Sequence, residues 1–284
     1  MDSIYYFHFD VVDKLLEKIR TGAQSVTLSL DLNLSETVWQ IKDGKLVLGE
    51  NSFVDVKKLE SICSDKHKIF TFRENEFNAL EVRTGSYYKL VPTTGAPTLE
   101  INGIKMHRSK EIDPLLDAKL KTRLVVSAKD QVLDTCGGLG YSAMFAAKAG
   151  AEKVISTEKS REVIALRNLN PWLEKMNSQK IVFLHTDIVK EIDTFGNNLF
   201  NSVIHDPPRF TSASGDLYGK KFYDALFRVM APRSKLFHYT GSPKKIRERD
   251  RFIKNTMKRL EQSGFTSVCF KDSLQGIYAK KNIT

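Results

Sequence analysis

Val132-Leu133-Asp134-Thr135-Cys136-Gly137-Gly138-Leu139-Gly140 is the stretch on which the fold turns. Apolar residues run into a carboxylate, and a glycine-rich turn then opens a helix whose first residues are Tyr141 and Ser142. That is the pattern of a buried strand passing through a tight loop into a helix. Glycine takes positive φ without strain and lets backbone amides approach a ligand closely. The spacing differs from the G-x-G-x-x-G of a dinucleotide pyrophosphate site. Asp134, ahead of the loop, suits instead a ligand with a cationic amino-acid tail. The same residues also suit a turn that holds no ligand.

Downstream of this loop the chain alternates strand and helix. Strands are expected at 131–134, 153–157, 180–185, 202–205 and 234–239, with helices at 141–149, 161–169, 220–230 and 244–263. Such alternation builds a mostly parallel sheet with helices on both faces, an α/β fold. The last two strands, 266–271 and 276–280, lie too close for a parallel crossover and must form an antiparallel hairpin. Upstream, a helical pattern at 10–20 precedes partly alternating segments at 25–30, 37–41, 45–48, 68–72 and 79–82, which reads as a small α+β domain. Two prolines and a glycine in 91–97 read as a linker, so the expected domains are 1–95 and 96–284. In the second, residues 98–126 form a lead-in. Asn102-Gly103 suits a type I′ hairpin turn, and Asp113-Pro114 starts a helix striped by Leu115, Leu116, Leu120 and Leu124.

Topology then places further side chains. Glu158 follows the second parallel strand, about 20 residues beyond the glycine turn, where an acidic residue accepts hydrogen bonds from ribose hydroxyls. Asp187 follows the third strand, at the carboxyl edge where open α/β sheets bind ligands, and reads equally as a helix N-cap. The fourth strand ends in His205-Asp206-Pro207-Pro208-Arg209-Phe210. Consecutive prolines fix the backbone and carry no N–H, which leaves carbonyls to face a substrate; a rigid turn explains them too. His205 and His238 end neighbouring strands and are candidate general bases near neutral pH.

The Asp134–Gly140 stretch resembles the D-x-x-x-G-x-G element of class I, Rossmann-like S-adenosylmethionine-dependent methyltransferases, and the terminal hairpin is similar to theirs. The resemblance implies S-adenosyl-L-methionine as cofactor, held by Asp134, Gly137, Gly138, Gly140, Tyr141, Ser142 and Glu158. It further implies that Asp187 meets the adenine amino group and that Ile188 flanks the ring. Asp206-Pro207-Pro208 resembles the element with which amino-group methyltransferases hold the acceptor amine through a carboxylate and a proline carbonyl. The usual stacking aromatic is replaced by Arg209, with Phe210 one step late. Asp-Pro-Pro-Arg also resembles enzymes that methylate carbon 5 of uridine, but those need a thiolate. The matching segment here is Thr240-Gly241-Ser242-Pro243, without cysteine. Direct transfer to nitrogen, or less favourably oxygen, is therefore expected. Residues 98–108, 170–172, 205–210 and 237–241 together resemble a family of predicted archaeal methyltransferases of undefined substrate.

Two other classes fit parts of the pattern. Aminopropyltransferases place a small β-rich domain before the same sheet, yet carry a Gly-Gly-Gly-Asp-Gly type turn where this chain sets Asp134 ahead of the glycines. A non-catalytic RNA-binding protein on the same scaffold would use the net charge of +10 and the eight basic residues of 244–259. An RNA acceptor is one expected partner; protein and small amine acceptors stay open, and the sequence sets no oligomeric state. Cys63, Cys136 and Cys269 lack metal-ligand or disulfide spacing, so no metal is expected. With no leader-like N-terminus and no membrane-length apolar run, the expected location is cytoplasmic.

Overall fold

The computed structural model describes residues 4–49, 52–62, 64–110, 112–176, 178–212, 214–241 and 246–282. The chain divides into two compact units, 1–115 with 165–174, and 116–164 with 175–284.

The first unit holds β1 (Tyr5–His8), α1 (Phe9–Arg20), β2 (Ser25–Leu28), β3 (Thr37–Lys42), β4 (Lys45–Gly49), β5 (Ser52–Asp55), α2 (Val56–Ile62), β6 (Ile69–Arg73), β7 (Glu76–Ala79), β8 (Glu81–Arg83), β9 (Tyr87–Val91), β10 (Thr98–Ile101) and β11 (Ile104–Lys105). The strands form three antiparallel sheets, ordered β1-β6-β7, β2-β3-β4-β5 and β11-β10-β9-β8. Val11, Val12 and Leu15 of α1 recur at helical spacing and pack with Val26, Leu28, Leu46 and Phe72 from the strands. Residues 165–174 join this unit: the Tyr6 hydroxyl donates to the Leu169 carbonyl at 2.8 Å, and the Trp172 indole to that of Leu32 at 2.8 Å.

Residues 91–97 were expected to link two domains; they form a hairpin turn. Val91 pairs with Thr98, the Gly95 N–H donates to Thr93 Oγ1, and that hydroxyl donates to the Ala96 carbonyl. The Asn33 amide donates to the carbonyls of Thr93 and Gly95. Hairpin β10–β11 thereby extends the sheet begun by β8 and β9, and the units divide near residue 115, later than expected. Its turn has positive φ at both Asn102 and Gly103, as type I′ geometry requires.

The second unit is built on one mixed sheet. Following α3 (Pro114–Val125) come β12 (Gln131–Asp134), α4 (Tyr141–Lys148), β13 (Lys153–Glu158), then α5 (Arg161–Asn168) and α6 (Leu173–Met176), which both straddle the division between the units, and β14 (Ile181–His185) and α7 (Ile188–Glu191). Then follow β15 (Phe200–His205), α8 (Lys220–Val229), β16 (Met230–Tyr239), α9 (Ile246–Gln262), β17 (Thr266–Lys271) and β18 (Gly276–Lys280). The order is β14-β13-β12-β15-β16-β18-β17, with β12 to β16 parallel and β18 antiparallel to both neighbours. Val132 and Leu133, at the sheet centre, are wholly buried because helices cover both faces. One core gathers Leu133, Val203 and Leu236 with Phe222, Tyr223, Leu226 and Val229 of α8, whose spacing sets them on one helical face. A second lies across the sheet around Val132, Ala143, Ala146, Val154 and Ile204. Among the described residues, no helix is long and apolar enough to cross a membrane.

Candidate functional site

Strand order reverses at β12, with β13 on one side and β15 on the other. Open α/β sheets bind ligands at such a switch point, outside the carboxyl ends of the strands. The loop 135–140 leaves β12 there. Its Gly137 N–H donates to the Thr157 carbonyl at 2.7 Å, and a Cβ at Gly137 would stand 2.2 Å from Ser156 Oγ. Only glycine lets the loop lie so close to β13. Gly138 and Gly140 have φ of 48° and 90°, and a Cβ at Gly138 would meet nothing within 4 Å. The loop is pressed onto the sheet on one side and open on the other, as a cradle for a ligand must be.

Asp134 is fully buried and accepts from Ser156 Oγ at 2.9 Å, so it braces β12 to β13 beneath the loop. Glu158 accepts from the Gly138 N–H at 3.1 Å and the Ser160 N–H at 2.9 Å, which sets its carboxylate beside the glycine turn. Tyr141 is buried in the first turn of α4, with Ser142 half-buried after it. Asp187 caps α7 through the Val189 N–H at 3.1 Å and meets Lys159 at 3.2 Å; the Lys159 side chain is 65% exposed, so that ion pair adds little. Ile188 was expected to flank a ligand ring. It is buried in one core cluster with Leu133 and Phe200.

Asp206-Pro207-Pro208 leaves β15 beside this loop. Pro207 is buried and Pro208 exposed. The Pro208 carbonyl accepts from Tyr218 at 2.9 Å, whereas no hydrogen bond to the Pro207 carbonyl is found among the described residues. Asp206 Oδ2 lies 2.9 Å from Lys121 Nζ, and Lys121 also pairs with Asp117 at 2.7 Å. Its ammonium sits 4.0 Å from the Tyr239 ring centroid. Burial alone would lower the Lys121 pKa; Asp206 and Asp117 outweigh it, so the net shift is upward. Sequence reasoning passed over Lys121. The available signal was Asp117 and Lys121 one turn apart on a lead-in helix.

His205 and His238 pair in register on β15 and β16, and both are wholly buried. His205 Nδ1 lies 2.7 Å from Thr135 Oγ1 and Nε2 lies 2.9 Å from the Leu217 carbonyl, so Nε2 carries the proton and both nitrogens are engaged. Burial pulls its pKa down to about 4. His238 Nε2 lies 2.9 Å from the Tyr223 hydroxyl, and burial, reinforced by His205, holds its pKa well below 6.5. Both imidazoles are enclosed and held neutral; His205 is engaged at both nitrogens and His238 at Nε2, with His238 Nδ1 buried and unpartnered among the described residues, so neither matches the expectation of a base titrating near neutral pH. Phe210 is 55% exposed, its ring packing on Tyr218 and Phe252. Of the fifth-strand segment, Ser242 and Pro243 lie outside the described residues, as do Cys63 and positions 244 and 245 of the basic stretch.

This sheet order, with one antiparallel strand inserted near its edge and a glycine loop at its switch point, is the class I methyltransferase fold. The chain is 40% identical over 273 residues to the uncharacterized protein MJ1233 of Methanocaldococcus jannaschii, covering 93% of this chain and 92% of that one, and belongs to its family. It is 30% identical over 105 residues to ribosomal RNA large subunit methyltransferase I of Escherichia coli, a match covering 36% of this chain and 26% of that protein. Spermidine synthase from Thermotoga maritima superposes with a TM-score of 0.57 at 17% identity, over 74% of this chain and 77% of that one, a likeness of fold. No family model matches the chain.

Proposed function

We propose that the protein is an S-adenosyl-L-methionine-dependent methyltransferase that delivers the methyl group directly to a nitrogen held at Asp206. One observation carries the reading. The glycine loop after β12, Glu158 at the end of β13 and Asp206-Pro207 after β15 converge at the carboxyl ends of three adjacent parallel strands. Bound there, the cofactor supplies an electrophilic methyl on a sulfonium. The open face of Gly138 fits its approach, Glu158 is placed for ribose hydroxyls, and the first turn of α4 favours the negative tail carboxylate. Asp206 and the Pro207 carbonyl accept N–H groups of the acceptor, aiming its lone pair in line; orientation supplies most of what a protein can add to such a displacement. Cys136 and Cys269 serve no covalent step, and burial raises the Cys136 thiol well above its ordinary pKa.

RNA is the first acceptor pool to examine. The relative in Escherichia coli is by name a ribosomal RNA methyltransferase. The net charge of +10 suits a polyanion, and Phe210 offers an exposed aromatic face beside the acceptor motif. The test incubates the protein and labelled cofactor with separated RNA, protein and small-amine pools. Label in the RNA pool and release of adenosylhomocysteine are expected. Asp206→Ala should bind cofactor as wild type does and lose most turnover. Absence of cofactor binding by calorimetry would overturn the assignment, and full activity in Asp206→Ala would remove that residue from it.

A further inference from the structure

Asp117 and Lys121 stand one turn apart on α3, at 1% and 2% exposure, and the lysine reaches Asp206, 85 residues later. Burying an ammonium is strongly unfavourable unless several groups compensate. An apolar residue would anchor α3 at lower cost, and Asp117 alone would balance the charge. The second carboxylate is instead recruited from the motif after β15. It holds the Lys121 ammonium by one oxygen, Oδ2, while the Asp206 side chain stays 21% exposed. Among the described residues no group donates to Asp206 Oδ1. The Tyr239 ring, at the end of β16, lies against the same ammonium and closes off one direction of movement.

We propose that Lys121 is a positioning residue: it clamps Asp206 Oδ2 so that Oδ1 accepts one N–H of the methyl acceptor. One ammonium between two carboxylates leaves a net negative charge at the acceptor end. The subsite therefore selects an N–H donor, such as an exocyclic or primary amine, and rejects carboxylate or phosphate oxygens by like-charge repulsion. The assignment rests on Asp206 being the acceptor residue, as proposed above.

Lys121→Met and Lys121→Arg test it. In the labelled-cofactor assay with the RNA pool, Lys121→Met should lose kcat by up to about 100-fold, the penalty of roughly 1 Å of misorientation. Its cofactor affinity, measured by calorimetry, should stay within about twofold, since no cofactor-binding residue is touched. Lys121→Arg, which restores a cation, should recover part of the loss; a lysine needed only for folding would lower the cofactor-binding fraction and kcat together. The second measurement is the crystal structure of Lys121→Met, where Asp206 should leave its rotamer. If the methionine variant folds poorly, the same rotamer and kcat readings on Lys121→Arg decide. Wild-type turnover in a cofactor-binding Lys121→Met, or an unmoved Asp206 carboxylate, would overturn the clamp. Should the wild type bind cofactor yet label no pool, the acceptor assignment fails while the rotamer still decides the clamp.

Discussion

Glu158 shows how far one residue's place can be read before its partners are known. Its position after the second parallel strand follows from periodicity alone; its bonds to the N–H groups of Gly138 and Ser160 do not. Those bonds engage both carboxylate oxygens and set the group beside the glycine turn, the placement from which the ribose role is proposed. Glu158→Ala should weaken S-adenosyl-L-methionine binding by roughly 1–3 kcal/mol, the cost of losing a charged acceptor. Calorimetry reads this directly, and unchanged affinity would retire the ribose role. Other residues were opaque for a physical reason. Lys121 is a lysine on a helix, ordinarily solvated, and its burial depends on a carboxylate far along the chain. Ile188 was assigned by resemblance, and its burial among Leu133 and Phe200 depends on packing that no local pattern records.

At the scale of elements, strands β12 to β16 were legible because continuous apolar runs bounded by polar turns mark buried parallel strands. Short strands such as β1 and β5 were missed, since four residues hold too few alternations to mark a strand, and the partner of β1 lies far along the chain in β6. The linker reading of 91–97 failed for the related reason that a proline–glycine turn looks alike within a hairpin and between domains. The ends of β15 and β16 carry a further consequence. His205 is held neutral by burial, its pKa brought down to about 4 from an unfolded value of 6.5. Between those values the unfolded chain binds more protons, so stability rises with pH. The contribution is complete above 6.5 and is lost as pH falls toward 4, by roughly 3 kcal/mol in all. His238 adds a loss of the same sign. Denaturant unfolding at pH 7.5 and pH 5 should show the drop, smaller in His205→Gln; an equal drop in both proteins would mean that groups other than His205 govern acid sensitivity.

For the whole molecule, the sharpest question is which group leaves the sulfonium. The likeness to spermidine synthase spans 74% of the chain, yet at 17% identity it establishes the fold and carries no chemistry. An aminopropyltransferase must accept a cofactor whose amino-acid tail has lost its carboxylate. Asp134, fully buried and bonded to Ser156 under the loop, would favour the ammonium that both cofactor forms carry, so the discriminating feature is the first turn of α4, where a helix N-terminus stabilises negative charge. That arrangement suits a tail with its carboxylate present. Intact S-adenosyl-L-methionine should therefore bind at least about tenfold tighter than the decarboxylated form, the worth of one charge-assisted hydrogen bond. Turnover should release adenosylhomocysteine. Paired calorimetry and chromatography of the nucleoside product settle the matter together: methylthioadenosine released from the decarboxylated cofactor in the presence of polyamines, with tighter binding of that cofactor, would replace methyl transfer by aminopropyl transfer. The site would then hold the acceptor amine at the same Asp206, because both reactions present a nitrogen lone pair in line with a carbon–sulfur bond.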